Sequence, residues 1–199
     1  MKKGLLVCAA ALVLAVLVAE PVAAASKVNF GLKAGVSSSN VKWTDDDGTE
    51  NSLTQATFGG LAILNLSPTL ALQFEVDYLV TGETWDSEEF GTVTEKFGYL
   101  HIPVLLRAKL MKEGKFVPVV FAGPAIGFLL SAKDSGFDVK EFFKSTDFGL
   151  EMGLGAEIAL GKVKALLDAR YYLGLGNAYY DPNMSMKNAA FMVTAGIVF

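Results

Sequence analysis

From Leu70 to Val80 nearly every even-numbered residue is large and apolar, while Gln73, Glu75 and Asp77 fall between them. A period of two belongs to a β-strand, whose successive side chains point to opposite faces. The same alternation returns along the chain. Phe30, Leu32, Ala34 and Val36 oppose Asn29, Lys33 and Ser37. Phe148 to Leu160 alternates with Asp147, Glu151 and Glu157, and Val163 to Leu173 alternates with Lys164, Asp168 and Arg170. Glycine and β-branched residues are frequent and no long segment holds a 3.6-residue period, so helix is a poor competitor.

About eight such segments can be read, near 28–42, 54–66, 69–84, 94–110, 115–131, 147–160, 162–175 and 189–199. Eight is the smallest number usual for a membrane barrel. Most segments exceed the ~9–11 residues that a tilted strand needs to cross the hydrocarbon. A soluble half-buried strand alternates in the same way, so one strand cannot separate a protein core from a lipid bilayer. The connections carry more information. Ser67-Pro68, Met111 to Gly114 and Gly161-Lys162 are short, whereas 43–53, 85–93, 132–146 and 176–188 are long and polar. In membrane barrels short turns face the periplasm and long loops face outward; a soluble lipocalin-like barrel has less reason to alternate in this way. Trp43, Trp85, Tyr171-Tyr172 and Tyr179-Tyr180 stand at junctions of strands with long loops, as an interfacial aromatic girdle would. The fold expected is all-β: an eight-stranded antiparallel up-and-down transmembrane barrel.

The ends of the chain agree. Met1-Lys2-Lys3-Gly4 precedes an apolar run from Leu5 to Ala19 and then Glu20-Pro21-Val22-Ala23-Ala24-Ala25. A basic start, an apolar middle and a small-residue exit form a cleavable export signal, with Ala23 and Ala25 at the −3 and −1 positions. The run is shorter than the ~20 residues of a spanning helix. Cys8 is the only cysteine; it has no hydrophobic region in front of it to make a lipoprotein signal, and it leaves with residues 1–25. Disulfides therefore contribute nothing to the expected barrel domain, 26–199. At the other end Phe191, Val193, Ala195, Ile197 and Phe199 alternate up to a terminal aromatic residue. That pattern resembles the insertion signal by which assembly machinery recognises outer-membrane barrels.

The chemistry of sites is sparse. His101 is the only histidine, which leaves one possible member for a triad or a histidine metal site. No phosphate loop or paired-cysteine site appears, and Asp45-Asp46-Asp47-Gly48 lacks the later glutamate of a calcium loop. A net charge of −4 gives no basic surplus for nucleic acid. No cofactor, metal or catalytic residue is expected. A lipid-modifying barrel with a His and a Ser near one rim is the enzymatic alternative, and His101 lies too far inside its strand to suit it.

The ordered series Phe30-Gly31-Leu32-Lys33-Ala34-Gly35-Val36, Tyr99-Leu100-His101-Ile102-Pro103-Val104-Leu105-Leu106, Phe121-Ala122-Gly123-Pro124, Phe128 to Ser131, Asp147 to Leu150, Gly153-Leu154-Gly155 and Asp168 to Leu175 resembles the PorT-like outer-membrane β-barrel family. The resemblance implies an eight-stranded barrel of a Bacteroidetes-type envelope and no single biochemical activity. His101 departs from it, since the family often has Glu there. Local bulges or bends are expected at Pro103, Pro118 and Pro124, where each proline removes a ladder donor.

A barrel of eight strands is barely wide enough for its own side chains. Lys33, Glu75, Asp77, His101, Arg107, Lys109, Glu151, Glu157, Lys164, Asp168 and Arg170 all fall on inward faces, with five bases against five acids when His101 is neutral. They are expected to interlock and plug the lumen rather than line a pore. Gly31, Gly35, Gly149, Gly153 and Gly155 would make room for the long basic chains. The function expected is a small outer-membrane barrel of a Gram-negative-type bacterium, structural or surface-binding and not a general porin. Its partners would be outer-membrane lipid, the assembly machinery, and a ligand or envelope protein held by loops 43–53, 85–93, 132–146 and 176–188. Trp85 to Phe90, Phe137, Phe142 and Phe143 are the aromatic and acidic candidates for that grip.

Overall fold

The computed structural model describes residues 28–43, 51–87, 91–181 and 183–199. Eight long strands make up the wall: β1 (Val28–Trp43), β2 (Asn51–Asn65), β3 (Leu70–Ser87), β4 (Gly91–Lys109), β5 (Phe116–Asp134), β7 (Thr146–Leu160), β8 (Val163–Gly174) and β9 (Met186–Val198). β6 (Phe137–Asp138) is two residues long and folds back on Lys133 and Asp134, outside the ring. Sequential neighbours pair antiparallel throughout, and β1 pairs with β9 from Gly31↔Val198 to Trp43↔Met186, which closes the sheet. A closed ring has no edge, so no ladder is left with unpaired groups facing hydrocarbon. Among the described residues no helix is long and apolar enough to cross a membrane; strands form the wall.

The two faces are solvated in inverse order to a soluble barrel. Phe30, Phe58, Val76, Leu154, Phe191 and Ile197 are at least half exposed on the outside, while Arg107 and Arg170, at 0% and 1%, are the largest fully buried side chains. A water-soluble barrel with a greasy interior would show the reverse.

Several expected boundaries move outward. β3 and β4 continue as a paired ribbon through Trp85↔Val93, Asp86↔Thr92 and Ser87↔Gly91, so 85–93 is mostly strand rather than a long loop. Thr92, Val93 and Thr94 are β-branched and suit an extended backbone. Likewise β2 begins at Asn51, β5 runs to Asp134 and β9 starts at Met186. The β5–β6 link turns tightly at Ser135 and Gly136, both with positive φ (46° and 94°), the backbone of a two-residue hairpin turn. One 3-10 turn, Lys140–Phe142, follows.

The prolines do not shift the register. Pro118↔Ala156 and Pro124↔Leu150 lie in one unbroken register between β5 and β7. The β4–β5 pairing is the same on both sides of a gap between Pro103↔Ala125 and Leu106↔Ala122. Each missing donor thus costs a local ladder bond and no bulge. The true irregularities lie elsewhere, at Gly98/Tyr99 between β4 and β5 and between Ser52 and Phe58 of β2. At the second, hydroxyls from the inner face supply donors to backbone carbonyls: Ser37 Oγ reaches Val80 O at 3.4 Å, Ser39 Oγ reaches Gly82 O at 3.2 Å, and Thr57 Oγ1 reaches Tyr78 O at 2.9 Å.

Candidate functional site

The lumen is built by parity. Residues of β1, β3, β4, β7 and β8 that alternate with lipid-side apolar positions all point to one axis, and closure brings them within bonding distance. At the centre Arg170 Nη1 donates to Glu75 Oε2 and to Glu151 Oε1, both at 2.7 Å, and Nη2 donates to Asp168 Oδ2 at 2.9 Å. Lys33 bonds Glu75 and stands 2.8 Å from Asp77 Oδ2. The Gln73 amide also donates to Glu75. His101 Nε2 lies 2.9 Å from Glu151 Oε2, and its ring meets Tyr172 edge-on at 4.7 Å between centroids.

Nearer the short-turn end, Arg107 Nε donates to Glu157 Oε1 at 3.4 Å, and Arg107 Nη1 is 3.5 Å from Asp168 Oδ1. Lys109 and Lys164 both reach Glu157 Oε2 at 3.3 Å. Lys164 is a rim residue, its side chain 49% exposed. Phe121 sits between the two guanidinium groups, 5.5 Å from Arg107 Cζ and 5.0 Å from Arg170 Cζ, where the ring face attracts cations. The eleven inward residues therefore form linked groups rather than separate pairs, and the buried charges face opposite charge, although both Arg107 Nη atoms and Arg170 Nε find no hydrogen-bond acceptor among the described residues.

Glycines give this cluster room, although not in the way the sequence suggested. A Cβ at Gly155 would lie 2.1 Å from Asp168 Oδ1, one at Gly153 would meet the Phe121 ring at 2.6 Å, and one at Gly149 would meet the Tyr172 ring at 2.4 Å. They make space for a carboxylate and two rings, not for long basic chains. Gly31 and Gly35 face neighbouring backbone carbonyls. Gly59, which parity alone did not single out, does the same for Asp77, whose Oδ1 would be 2.0 Å from its Cβ.

The family model for "Outer membrane protein beta-barrel domain" matches residues 19–180. The chain belongs to that family. Solved barrels of the same shape include neisserial surface protein A, with a TM-score of 0.55 and 15% identity over 87% of this chain and 99% of that one. Another is the outer membrane protein OprG of Pseudomonas aeruginosa, with a TM-score of 0.54 and 14% identity over 87% and 97%. At such identity the likeness is one of fold. A comparison with curated proteins returned no match. The barrel is thus a small eight-stranded member of an outer-membrane family, not a large porin.

Above the charges the barrel has a second layer that periodicity did not reveal. Asp147 accepts hydrogen bonds from Tyr172 Oη at 3.0 Å and from Asn188 Nδ2 at 2.8 Å. Asn188 also joins Tyr99 and Thr81. Over this polar tier Val41, Phe97, Tyr99, Leu129, Met186 and Phe143 form an apolar cap. Phe143 comes from the β5–β7 connection, packing on Phe97 at 4.7 Å and Tyr179 at 5.2 Å between centroids, and it bridges to Tyr179 of the β8–β9 connection.

That placement corrects the girdle and the loop readings. Tyr171 faces outward and is exposed, but Tyr172 is buried in the lumen, because adjacent strand residues face opposite sides. Tyr179 belongs to the cap and only Tyr180 is exposed; Trp85 is half-buried on the β3–β4 ribbon. Of the loop aromatics, Phe137 and Phe142 are exposed while Phe143 is buried in the mouth. Phe191, Val193, Ala195, Ile197 and Phe199 all lie exposed on the outer face. The Trp43 side chain, Asp45 to Gly48, Glu88 to Phe90, and the export segment with Ala23 and Ala25 fall outside the described residues. Among the described residues no group of three or more His, Cys, Asp or Glu is placed to hold a metal.

Proposed function

We propose that the chain is a closed, non-conducting barrel of a Gram-negative-type outer membrane, of the PorT-like branch, acting as a structural or surface-binding module and not as an enzyme. One observation carries the reading: the two largest fully buried side chains are arginines locked to carboxylates across the lumen. A conducting path needs water where these groups interlock, and the apolar cap closes the same axis again. His101 supports the non-catalytic reading, since its Nε2 is committed to Glu151 and it is 2% exposed; a general base needs a substrate proton within reach. Residues 1–25 act as the export signal, cut after Ala25, and the assembly machinery reads the strand ending in Phe199.

Exposed Phe137, Phe142, Tyr180 and Met184 on the outer connections favour a binding role over a bare scaffold. Their partner is a ligand or envelope protein at the cell surface.

Reconstitution of the pure protein in a planar bilayer tests the plug: silence is expected, and steady large single-channel steps overturn it. Val76→Arg tests the membrane assignment in parallel, since arginine near mid-bilayer on a lipid face costs ~2–4 kcal/mol. Val76 is 51% exposed on the outer wall. Insertion into vesicles should fall sharply, while unimpaired insertion would mean that this face does not meet lipid.

A further inference from the structure

Lys96 of β4 and Lys133 of β5 are direct cross-strand partners. Both are exposed on the outer face, and neither has an ion-pair partner among the described residues. Like charges placed directly opposite destabilise a sheet. Asp138 of β6, the other cross-strand partner of Lys133, accepts from the Lys140 backbone N–H and forms no ion pair with either lysine, so the pair still calls for an anion. Glu95 and Asp134, their sequence neighbours, are themselves partners but lie on the inner face and cannot serve.

The pair stands just beyond the apolar part of the wall, which on β5 runs outward through Phe128 and Leu130. Beside it the outer wall has a depression of about 320 Å³, lined by Phe58, Tyr78, Val80 and Ser131 as well as the two lysines. It exists because Gly98 has no side chain: a Cβ there would lie 2.8 Å from both Tyr78 Oη and Ser131 Oγ. The β4–β5 register shift falls at the same residue. Two cations, two hydroxyls and an apolar face thus follow one another from the outer end of the wall toward the middle.

We propose that this depression is a seat for a phosphate-bearing lipid of the outer leaflet, the lysines holding the phosphate and Phe58 and Val80 holding the start of an acyl chain. The inference rests on the reading that the wall faces a bilayer. Lysine ammonium groups make charge-assisted bonds to phosphate, and long lysine stems cover apolar surface while the heads stay at the interface. A second facing pair, Lys42↔Lys187, sits at the outer end of β1 and β9, also exposed. It provides an internal comparison of equal charge.

The mature protein in zwitterionic micelles, checked for a closed barrel by different gel migration with and without boiling, is titrated with phosphatidic acid, and retained lipid is counted by native mass spectrometry. Diacylglycerol with the same chains and inorganic phosphate each lack half of the ligand. Wild type should retain phosphatidic acid and neither half. Lys96→Gln/Lys133→Gln should weaken retention at least about ten-fold, whereas Lys42→Gln/Lys187→Gln should change it less than about two-fold. Lys96→Arg/Lys133→Arg should keep it. Equal retention by wild type and the Lys96/Lys133 variant, an equal loss in the Lys42/Lys187 variant, or displacement of the lipid by inorganic phosphate overturns the seat. Identical migration of boiled and unboiled wild type overturns the membrane reading and the seat with it.

Discussion

The lumen is packed at two levels, by different physics. From the middle toward the short turns Arg170, Lys33 and Arg107 hold five carboxylates across the axis. At the end with the long connections Phe143, Phe97, Met186 and Tyr99 pack together by apolar contact. The middle depends on strands fixed by closure, so its charges are pre-positioned and shielded from salt. The mouth depends on a loop residue, and loops open more readily than the wall that carries them. A small barrel therefore keeps its most expensive groups on its most rigid elements and leaves the cheaper, non-directional contacts to its loops.

The largest effect is expected from Arg170→Met. It leaves Glu75, Glu151 and Asp168 without their shared cation, and breaking a buried pair costs ~3–5 kcal/mol. Denaturant unfolding in micelles measures it. Glu75 keeps Lys33 and Asp168 keeps Arg107, but Glu151 has only His101 left. Arg170→Met with Glu151→Gln should accordingly be less destabilised than Arg170→Met alone; simple additivity would mean that the two residues do not form one unit.

Phe143→Ala comes next. Removing a buried phenyl group costs ~3 kcal/mol or more where the site cannot collapse. Here the loss should appear as local opening. Hydrogen exchange should quicken in 135–145 and 175–185 while the β8 amides around Arg170 stay protected. If protection falls equally at both levels, mouth and middle are one cooperative unit and the contrast drawn above is wrong.

The smallest effect is expected from Lys164→Gln at the rim. Its half-exposed pair with Glu157 is in solvent reach, and Lys109 holds the same oxygen. Such pairs contribute ~0–1 kcal/mol and are screened by salt. Unfolding midpoints in low and high salt should converge for wild type and variant. A loss as large as that of Arg170→Met would show that the network extends undiminished to the rim.

Much of this was legible in the residues alone. Period two placed Lys33, Glu75, Asp77, His101, Arg107, Glu151, Glu157, Asp168 and Arg170 on inward faces, because side-chain direction in a strand is set by position and needs no knowledge of neighbours. The number and length of the alternating segments pointed to the eight-stranded barrel for the same reason: each is local. Parity also contained one answer that was misread, since Tyr171 and Tyr172 cannot share a face.

What only the tertiary structure decided are the relations between strands. Glu75, Glu151 and Asp168 become partners of Arg170 through register and closure, which join residues as far apart as Glu75 and Arg170. The facing of Lys96 and Lys133 depends on a register shift at Gly98 that no local pattern announces. The cap depends on Phe143 turning inward from a loop whose composition matches that of its exposed neighbour Phe142. Alternation fixes which way a side chain points, but the partner it meets is set by how far one strand slides along another, and that is a property of the closed ring rather than of any segment in it.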